Sequence, residues 1–319
     1  MRRVGGTLAL HSRMVRFTHV LYPTDLSDAS LPAFRYAAAV ARWYGATLTV
    51  LHVVPSFEPM AGPAEWIGDP LPVPRVPSAE DVRAEMARLL PMDEADGITV
   101  TLEARAGHAA SVIVDQAVER SADLIVMGTH GRTGFSRLLM GSVAEKVVRQ
   151  APCPVLTIPP VAPASAKERP SFSRILCPVD FSPASDQAVG FALDLARQAG
   201  GGVTILSVVE WLAEEQPIGE ADFDVAALRE QMAAKSRARL DALLSDESRT
   251  WCDIEELVTY GRAHREVIRL AAERRADLIV IGAQGRGGVG LALFGSTTQQ
   301  VIRSATCPVL VVHAPGAPV

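Results

Sequence analysis

The sequence contains few cysteines and no long hydrophobic run, and each absence narrows the class of protein. The four cysteines are Cys153, Cys177, Cys252 and Cys307, and they form no CxxC pair and no metal-ligand spacing. We therefore expect reduced thiols and a cytoplasmic location. Apolar runs such as ADLIV are far shorter than the roughly 20 residues that span a bilayer, so no membrane segment is expected. The first 17 residues also lack the apolar core and the cleavage pattern of a secretory signal.

The sequence also lacks an excess of positive charge. Its formal net charge is −5, which gives the chain no overall attraction to nucleic acid or to anionic lipid. Nucleic acid is therefore not an expected partner. Any site that binds an anion must be a local feature of the chain.

One segment of the sequence occurs twice. ADLIVMGTHGRTGFSRLLMGSV begins at Ala122, and ADLIVIGAQGRGGVGLALFGST begins at Ala276. The offset of 154 residues between these copies also relates the glycines at 107 and 261 and the CPVL segments near the end of each half. A constant offset indicates a tandem duplication, and a chain of 319 residues is long enough for two domains.

Each half has the pattern of a parallel α/β domain in three layers. The first half reads as strand FTHVLYP, helix 27–44, strand ATLTVLHVVP, a proline-rich loop at 56–78, helix 80–90, strand ITVTLEA, helix 109–120, strand DLIVMG, helix 142–149 and strand PVLTIP. The near-continuous apolar strands suit a sheet that helices cover on both faces. We divide the chain into domain 1–160, with 1–15 expected to be disordered, linker 161–171 and domain 172–319.

A glycine-rich loop follows the fourth strand in each half and opens a helix. Glycines let the backbone approach a ligand closely, and the free N–H groups of a helix start attract phosphate. Asp25 and Asp180 end the first strand of each half, at the edge of an open α/β sheet where ligands bind. We expect the loops to lie outside the core, so that replacing Gly128 or Gly282 leaves the fold intact.

These motifs, together with the terminal CPVL strands, resemble those of the universal stress protein family over residues 16–160 and 172–313. The resemblance implies two Rossmann-like domains, each a five-stranded parallel sheet of order 3-2-1-4-5 flanked by helices. It implies that the adenine and ribose of ATP contact Pro23, Asp25 and the main chain at Val53. The phosphates would lie along Met127, Gly128, His130, Gly131, Arg132, Gly141, Ser142 and Val143. The matching positions of the second half are Pro178, Asp180, Val208, Ile281, Gly282, Gln284, Gly285, Arg286, Gly295, Ser296 and Thr297.

Several of these residues have simpler alternative roles. Asp25 and Asp180 could only cap the following helices, and the serines Ser142 and Ser296 could be N-caps rather than phosphate ligands. His130 has Gln284 as its counterpart, which favours a solvated loop residue over a shared catalytic imidazole. The charged segment 228–244 favours an ordinary amphipathic surface helix.

The resemblance predicts an ATP-binding regulator of the stress response, with one nucleotide per half and Mg²⁺ held through the phosphates. Occupancy would bias the choice of an unidentified regulatory protein partner. The alternatives are a slow ATPase or nucleotidyl-transfer enzyme, or an interaction scaffold without turnover. No catalytic residues are assigned, because the chain has no GxxxxGK[ST] motif and no Ser–His–Asp set that recurs in both halves. If only one half binds, the extra glycines of the second loop favour the first half.

The last strands, PVLTIP and PVLVVH, would be apolar edges of their sheets, and such edges invite pairing. In the family that the chain resembles, these strands pair between protomers. We therefore predict that 154–158 pairs with 308–312 within the chain, which gives a pseudo-two-fold pair of domains. A homodimer of chains is a further possibility that this pairing leaves open.

Overall fold

The computed structural model describes residues 14–55, 78–131, 140–163, 169–210, 225–285 and 295–314. Two predicted irregular segments, most of 1–15 and nearly all of the loop 56–78, lie outside these ranges. So do the central part of the predicted linker and the second-half segment 211–224. The site candidates Arg132 and Arg286 also lie outside them.

The described part of the first half contains five strands and four helices, in the order that the sequence predicts. The strands are β1 His19–Thr24, β2 Thr47–Val54, β3 Val100–Ala106, β4 Leu124–Gly128 and β5 Val155–Ile158. The helices are α1 Leu31–Tyr44, α2 Ala79–Leu89, α3 Ala109–Glu119 and α4 Ser142–Gln150. The predicted ends agree within a few residues, apart from the start of α1, where a short 3₁₀ turn comes first.

The second half repeats this order in its described residues. Its strands are β6 Arg174–Val179, β7 Gly202–Val209, β8 Asp253–Tyr260, β9 Leu278–Gly282 and β10 Val309–Val312. Its helices are α5 Pro183–Ala199, α6 Val225–Leu243, α7 Ala263–Glu273 and α8 Ser296–Ser304. Helix α6 is longer than its counterpart α2, with 19 residues against 11. Among the described helices, this pair therefore shows the largest difference in length between the halves.

All ten strands form one sheet, with the order β3-β2-β1-β4-β5-β10-β9-β6-β7-β8. Within each half this is the predicted order 3-2-1-4-5, and those strand pairs are parallel. The predicted α/β class and strand order are therefore confirmed. The two five-stranded sheets are continuous with each other because β5 and β10 pair antiparallel.

Helices cover both faces of this sheet. Helices α1, α2, α5 and α6 contribute buried side chains to one apolar cluster, and α3, α4, α7 and α8 contribute to the other. Strand residues alternate between the clusters: Val20 and Tyr22 face one, and Leu21 faces the other. The three predicted layers follow from this alternation, because a strand buried on both faces needs apolar side chains at nearly every position. No helix in the described ranges combines the length and the apolarity that a membrane crossing requires.

The pairing of β5 with β10 joins the halves. Leu156 lies opposite Leu310, and Val155 lies opposite Val311; all four are at most 2% exposed. The Thr157 hydroxyl donates a hydrogen bond of 3.1 Å to the main-chain oxygen of Val309. The predicted pairing of these two strands is therefore present, whereas a homodimer of chains stays a prediction.

Contacts outside the sheet also connect the halves. The main-chain N–H of Val15 donates to the carboxylate of Asp194 on α5, and Gln198 donates to the oxygen of Val15 at 2.9 Å. Residue 15, the last of the segment expected to be disordered, is thus hydrogen-bonded to the second half. His313 Nε2 donates a hydrogen bond of 2.8 Å to the main-chain oxygen of Val148 on α4.

The opposed leucines give a test of the shared sheet. Leu156→Ala and Leu310→Ala should each lower the free energy of unfolding by about 2–5 kcal/mol, the usual cost of truncating a buried leucine. Because the two side chains are cross-strand partners in one cluster, the double variant should show a coupling energy of about 0.5–3 kcal/mol. Urea unfolding of the four proteins measures it.

Leu48→Ala is the control for this cycle. Leu48 is buried on β2, three strands away from β5 in the sheet, so its effect should add to that of Leu310→Ala. If the losses of Leu156→Ala and Leu310→Ala also simply added up in their double variant, the result would contradict the pairing of β5 with β10.

The contact of His313 predicts a dependence of stability on pH. Its Nδ1 is buried with no hydrogen-bond partner among the described residues, and burial lowers the pKa of the imidazole below its ordinary value of 6.5. A lowered folded-state pKa means that the unfolded chain takes up the proton first, so stability falls as the pH drops below about 6.5. The fall ends once the pH has passed the folded-state pKa.

His313→Gln keeps an N–H donor for Val148 but does not titrate. The difference in unfolding free energy between pH 7.5 and pH 5.5 should therefore be smaller in this variant than in the wild type. Unfolding curves at both pH values measure the difference. The same pH dependence in both proteins would show that His313 does not contribute to it.

Candidate functional site

A crevice opens in each half where the order of the strands reverses. β1 pairs with β2 as far as Thr24, but its pairing with β4 ends at Leu21 opposite Ile125. In the second half the pairing of β6 with β9 likewise ends at Leu176 opposite Ile279. Beyond these points the strands separate, and a crevice at the carboxyl ends of the strands is where open α/β sheets bind ligands.

Both candidate prolines lie on the edge of this crevice. Pro23 and Pro178 are paired with β2 and β7 but lie beyond the last residue paired with β4 or β9. Proline lacks the N–H that a central strand normally donates, so it is tolerated where a ladder has ended. Each proline therefore places an apolar ring at the crevice without leaving an N–H group unpaired there.

The two aspartates stand at the same sharp turn. Leu26 and Phe181, which follow them, both have φ of 61°, a left-handed conformation that is costly for residues other than glycine. The carboxylate stabilises this turn: Ser27 N–H donates to Asp25 Oδ1 at 3.1 Å, and Ser182 N–H donates to Asp180 Oδ1 at 3.0 Å. The same turn is therefore present at the edge of both crevices.

Neither aspartate is the N-cap of the following α-helix, so that alternative is wrong. The N-cap residues are Ser30 for α1 and Ser182 for α5, and Ser182 forms a capping box with Ser185. The aspartates shape the turn before the helix instead.

The glycine loop crosses directly over each aspartate. A Cβ atom at Gly131 would lie 2.7 Å from Asp25 Oδ2, and one at Gly285 would lie 2.7 Å from Asp180 Oδ2. A larger residue would displace the carboxylate or the loop, so glycine suits this close approach. The segments that follow the first and fourth strands of each half thus lie against each other.

In each half, the same hydrogen bond joins the residue after the fourth strand to the glycine before the last helix. Gly141 N–H donates to Thr129 O at 2.9 Å, and Gly295 N–H donates to Ala283 O at 3.0 Å. These glycines are the N-caps of α4 and α8, so Ser142 and Ser296 are the first helical residues. Their assignment as N-caps is therefore wrong. At the first helical position the main-chain N–H has no partner within the helix and is available to an anion.

A cavity of about 800 Å³ occupies the crevice of the second half. It reaches from β6 and β7 to the start of α8 and lies between the sheet and α6. All ten described second-half candidates line it: Pro178, Asp180, Val208, Ile281, Gly282, Gln284, Gly285, Gly295, Ser296 and Thr297. The volume lies within the range of about 300–1,000 Å³ that small-molecule sites occupy.

The same cavity has basic residues that the sequence analysis did not select. Lys235, Ser236 and Arg239 of α6 line it, and the Arg239 guanidinium lies 4.0 Å from the centre of the Phe181 ring. The interpretation of 228–244 as an ordinary surface helix did not predict that one face of this helix lines the cavity. Lys235 and Arg239 are four residues apart and therefore share one face of α6, but no motif marks which face meets the crevice.

The first-half candidates occupy the corresponding positions around their crevice. Met127 is buried, and Val53 and Val143 are partly buried against the same apolar cluster. His130 forms a hydrogen bond of 2.8 Å between its Nδ1 and the Thr129 hydroxyl. Its Nε2 is buried and has no hydrogen-bond partner among the residues that the structure describes. His130 is thus a loop residue of intermediate exposure with one buried ring nitrogen.

Gly282 differs from Gly128 in the space around it. A Cβ at Gly282 would lie 2.8 Å from main-chain atoms of Ala184 and Ser185 at the start of α5. At Gly128 the nearest atom would be 3.4 Å away. Gly282 therefore lets the strand pack closely against the helix, and we expect its replacement to cost more stability than that of Gly128.

The topology and the crevices define the class of protein: a doubly wound α/β protein with a glycine loop at the carboxyl edge of its parallel strands. The sequence model of the universal stress protein family matches residues 16–159 and 171–313. The chain therefore belongs to the universal stress protein family.

Relatives of the same tandem length occur in mycobacteria. A universal stress protein of Mycolicibacterium smegmatis is 29% identical over 300 residues, which cover 92% of this chain and 96% of the relative. One of Mycobacterium tuberculosis is 29% identical over 298 residues, with the same two shares covered. The crystal structure of a universal stress protein from Archaeoglobus fulgidus has the same fold, with a TM-score of 0.61 at 22% identity over 96% of this chain and 98% of that chain.

The two glycines provide a matched pair of variants. Gly282→Ala should lower the free energy of unfolding by about 1–3 kcal/mol, because its Cβ overpacks the start of α5. Gly128→Ala should change it by less than about 0.5 kcal/mol, since the nearest atoms remain at van der Waals distance. Urea unfolding of both variants measures the difference, and equal losses would contradict the packing role of Gly282.

Proposed function

We propose that this protein binds ATP in the crevices of its two halves and that nucleotide occupancy regulates its contact with a protein partner in the stress response. The observation that carries the proposal is the second-half cavity. Ten residues chosen from the sequence for nucleotide binding, from three strands, a loop and a helix start, all line one space of about 800 Å³.

The chemistry of the cavity suits each part of ATP. Asp180 at the strand end would accept hydrogen bonds from the ribose hydroxyls, and Pro178 and Val208 would contact the adenine. Gly285 and the first residues of α8 would hold the phosphates, because main-chain N–H groups and the helix dipole favour anions there. The acidic groups Asp180 and Glu210 and the basic groups Lys235 and Arg239 all line this cavity, so it can hold both the sugar and the anionic end of the ligand.

Mg²⁺ in this proposal is bound through the phosphates. Within the described residues, no three His, Cys, Asp or Glu side chains are grouped so as to hold a metal ion. The phosphate oxygens of ATP would then supply most of the ligands, as is usual for Mg²⁺ at nucleotide sites. The ion would neutralise part of the phosphate charge.

A role in binding and regulation fits the arrangement better than a role in turnover. The described residues of the cavity supply main-chain N–H groups, the Asp180 carboxylate and the two cations of α6, which are groups that hold a nucleotide. The loops 56–78 and 210–224, which differ most between the halves in sequence, are the segments that we propose for partner contact.

Mass spectrometry of the denatured purified protein is the first test, and we expect adenine nucleotide to be released. Calorimetry with ATP and Mg²⁺ should then give binding with up to two nucleotides per chain. A timed assay for ADP distinguishes a binding protein from a slow ATPase. Absence of co-purified nucleotide, together with no binding at millimolar ATP, would overturn the proposal.

Asp180→Ala should weaken ATP binding to the second half by about tenfold or more, because a hydrogen bond to a charged group contributes about 1.5–3 kcal/mol. Asp115→Ala is the control, since Asp115 is exposed on α3 and should leave affinity unchanged. Calorimetry measures both affinities, and urea unfolding confirms that the variants fold. Unchanged affinity in a folded Asp180→Ala protein would exclude Asp180 from the site.

A further inference from the structure

The two halves of the chain carry opposite charge at equivalent positions of the helices α2 and α6. The buried residues of the paired helices establish the equivalence. In the first half, Val82 and Met86 of α2 are buried, and so is Leu90 just after it. In the second half, Leu240 of α6 is buried, and so is Leu244 just after it. The offset of 154 residues that relates the later parts of the halves matches Met86 with Leu240 and Leu90 with Leu244.

In this register the charged positions reverse sign. Lys235 corresponds to Asp81, and Arg239 corresponds to Glu85. The two basic residues line the second-half cavity, whereas Asp81 and Glu85 are exposed residues of α2. One half thus presents cations where the other presents carboxylates.

The different lengths of the helices explain why the position of Lys235 is open to a cation. In the first half α2 starts at this point, and Asp81 forms a capping box with Ser78 in which each main-chain N–H donates at 3.1 Å to the other side chain. In the second half α6 begins earlier, at Val225, so Lys235 lies inside the helix. No N-cap is needed there, and an acidic residue is not required.

A second difference between the halves accompanies Arg239. Its guanidinium lies over the ring of Phe181 at 4.0 Å, and Phe181 is held at the strained turn beside Asp180. The first half has Leu26 at the position of Phe181 and Glu85 at that of Arg239. An aliphatic side chain and a carboxylate cannot form a cation–π contact, so the ring and the cation occur together in one half only.

We infer that the second half is the tighter site for polyanionic nucleotides and that Lys235 and Arg239 are its specificity-determining residues, with Asp81 and Glu85 weakening the first half. The inference depends on the proposed nucleotide binding. Cations in a partly enclosed cavity attract a ligand in proportion to its negative charge. The second half should therefore prefer ATP over ADP, AMP and adenosine more strongly than the first half does. This order reverses the sequence-based expectation that favoured the first half.

The test is calorimetry of the full chain with ATP, ADP, AMP and adenosine. In the double variant Lys235→Gln/Arg239→Gln, the tighter ATP site should weaken on the order of tenfold, as expected for the loss of two partly screened charges. The loss should become smaller with each phosphate removed, and adenosine affinity should change less than about twofold. Raising the salt from 50 to 500 mM should weaken ATP binding less in the variant than in the wild type.

Arg237→Gln is the control, because it removes one positive charge from the same helix outside the cavity. Arg237 forms an exposed ion pair with Glu230 at 2.7 Å and is not among the residues that line the cavity. Its affinity for ATP should stay within about twofold of the wild type. In the first half, Glu85→Arg should tighten the weaker site for ATP and leave adenosine unchanged.

The outcomes separate the two proposals. If the wild type binds ATP but the double variant loses no affinity, or loses it equally for ATP and adenosine, the roles of Lys235 and Arg239 are wrong while the nucleotide function stands. If the wild type binds none of the four ligands, the proposed function fails and this inference fails with it. An equal loss in Arg237→Gln would show a general effect of helix charge and would also overturn the inference.

Discussion

The antiparallel pairing of β5 with β10 is the interaction on which the arrangement of the whole molecule depends. Each half alone would end in an apolar strand with unpaired main-chain groups, and such an edge would pair with another chain. Pairing the two edges buries Leu156 and Leu310 against each other and makes one sheet of ten strands. It also leaves both crevices, which lie at the inner strands of each half, away from the junction.

The crevices owe their form to local constraints that both halves retain. The ladder between the first and fourth strands ends early, a left-handed residue turns the chain after the aspartate, and a glycine lets the loop cross the carboxylate. Each constraint costs free energy or restricts the residue type. Both halves retain all three constraints, so the two crevices have the same form.

Duplication let the two copies diverge where the fold permitted it. The strands and the loop ends kept their geometry because packing restricts them, as the contact of Gly282 with α5 illustrates. Helix α6 lines its cavity, is longer than α2 and carries the cations Lys235 and Arg239. A change of charge there leaves the core intact, since Lys235 is exposed and Arg239 only partly buried. The two halves can therefore share a fold and differ in affinity.

The sequence by itself determined the repeat, the strands and helices and most of the candidate residues, because apolar periodicity and glycine spacing are local patterns. Only the tertiary structure decided that Asp25 and Asp180 shape turns rather than cap helices, that Gly282 packs against α5, and that Lys235 and Arg239 face the cavity. These features depend on which residues, far apart in the chain, lie against each other. A local pattern carries no information about such contacts, so they appear only when the chain has folded.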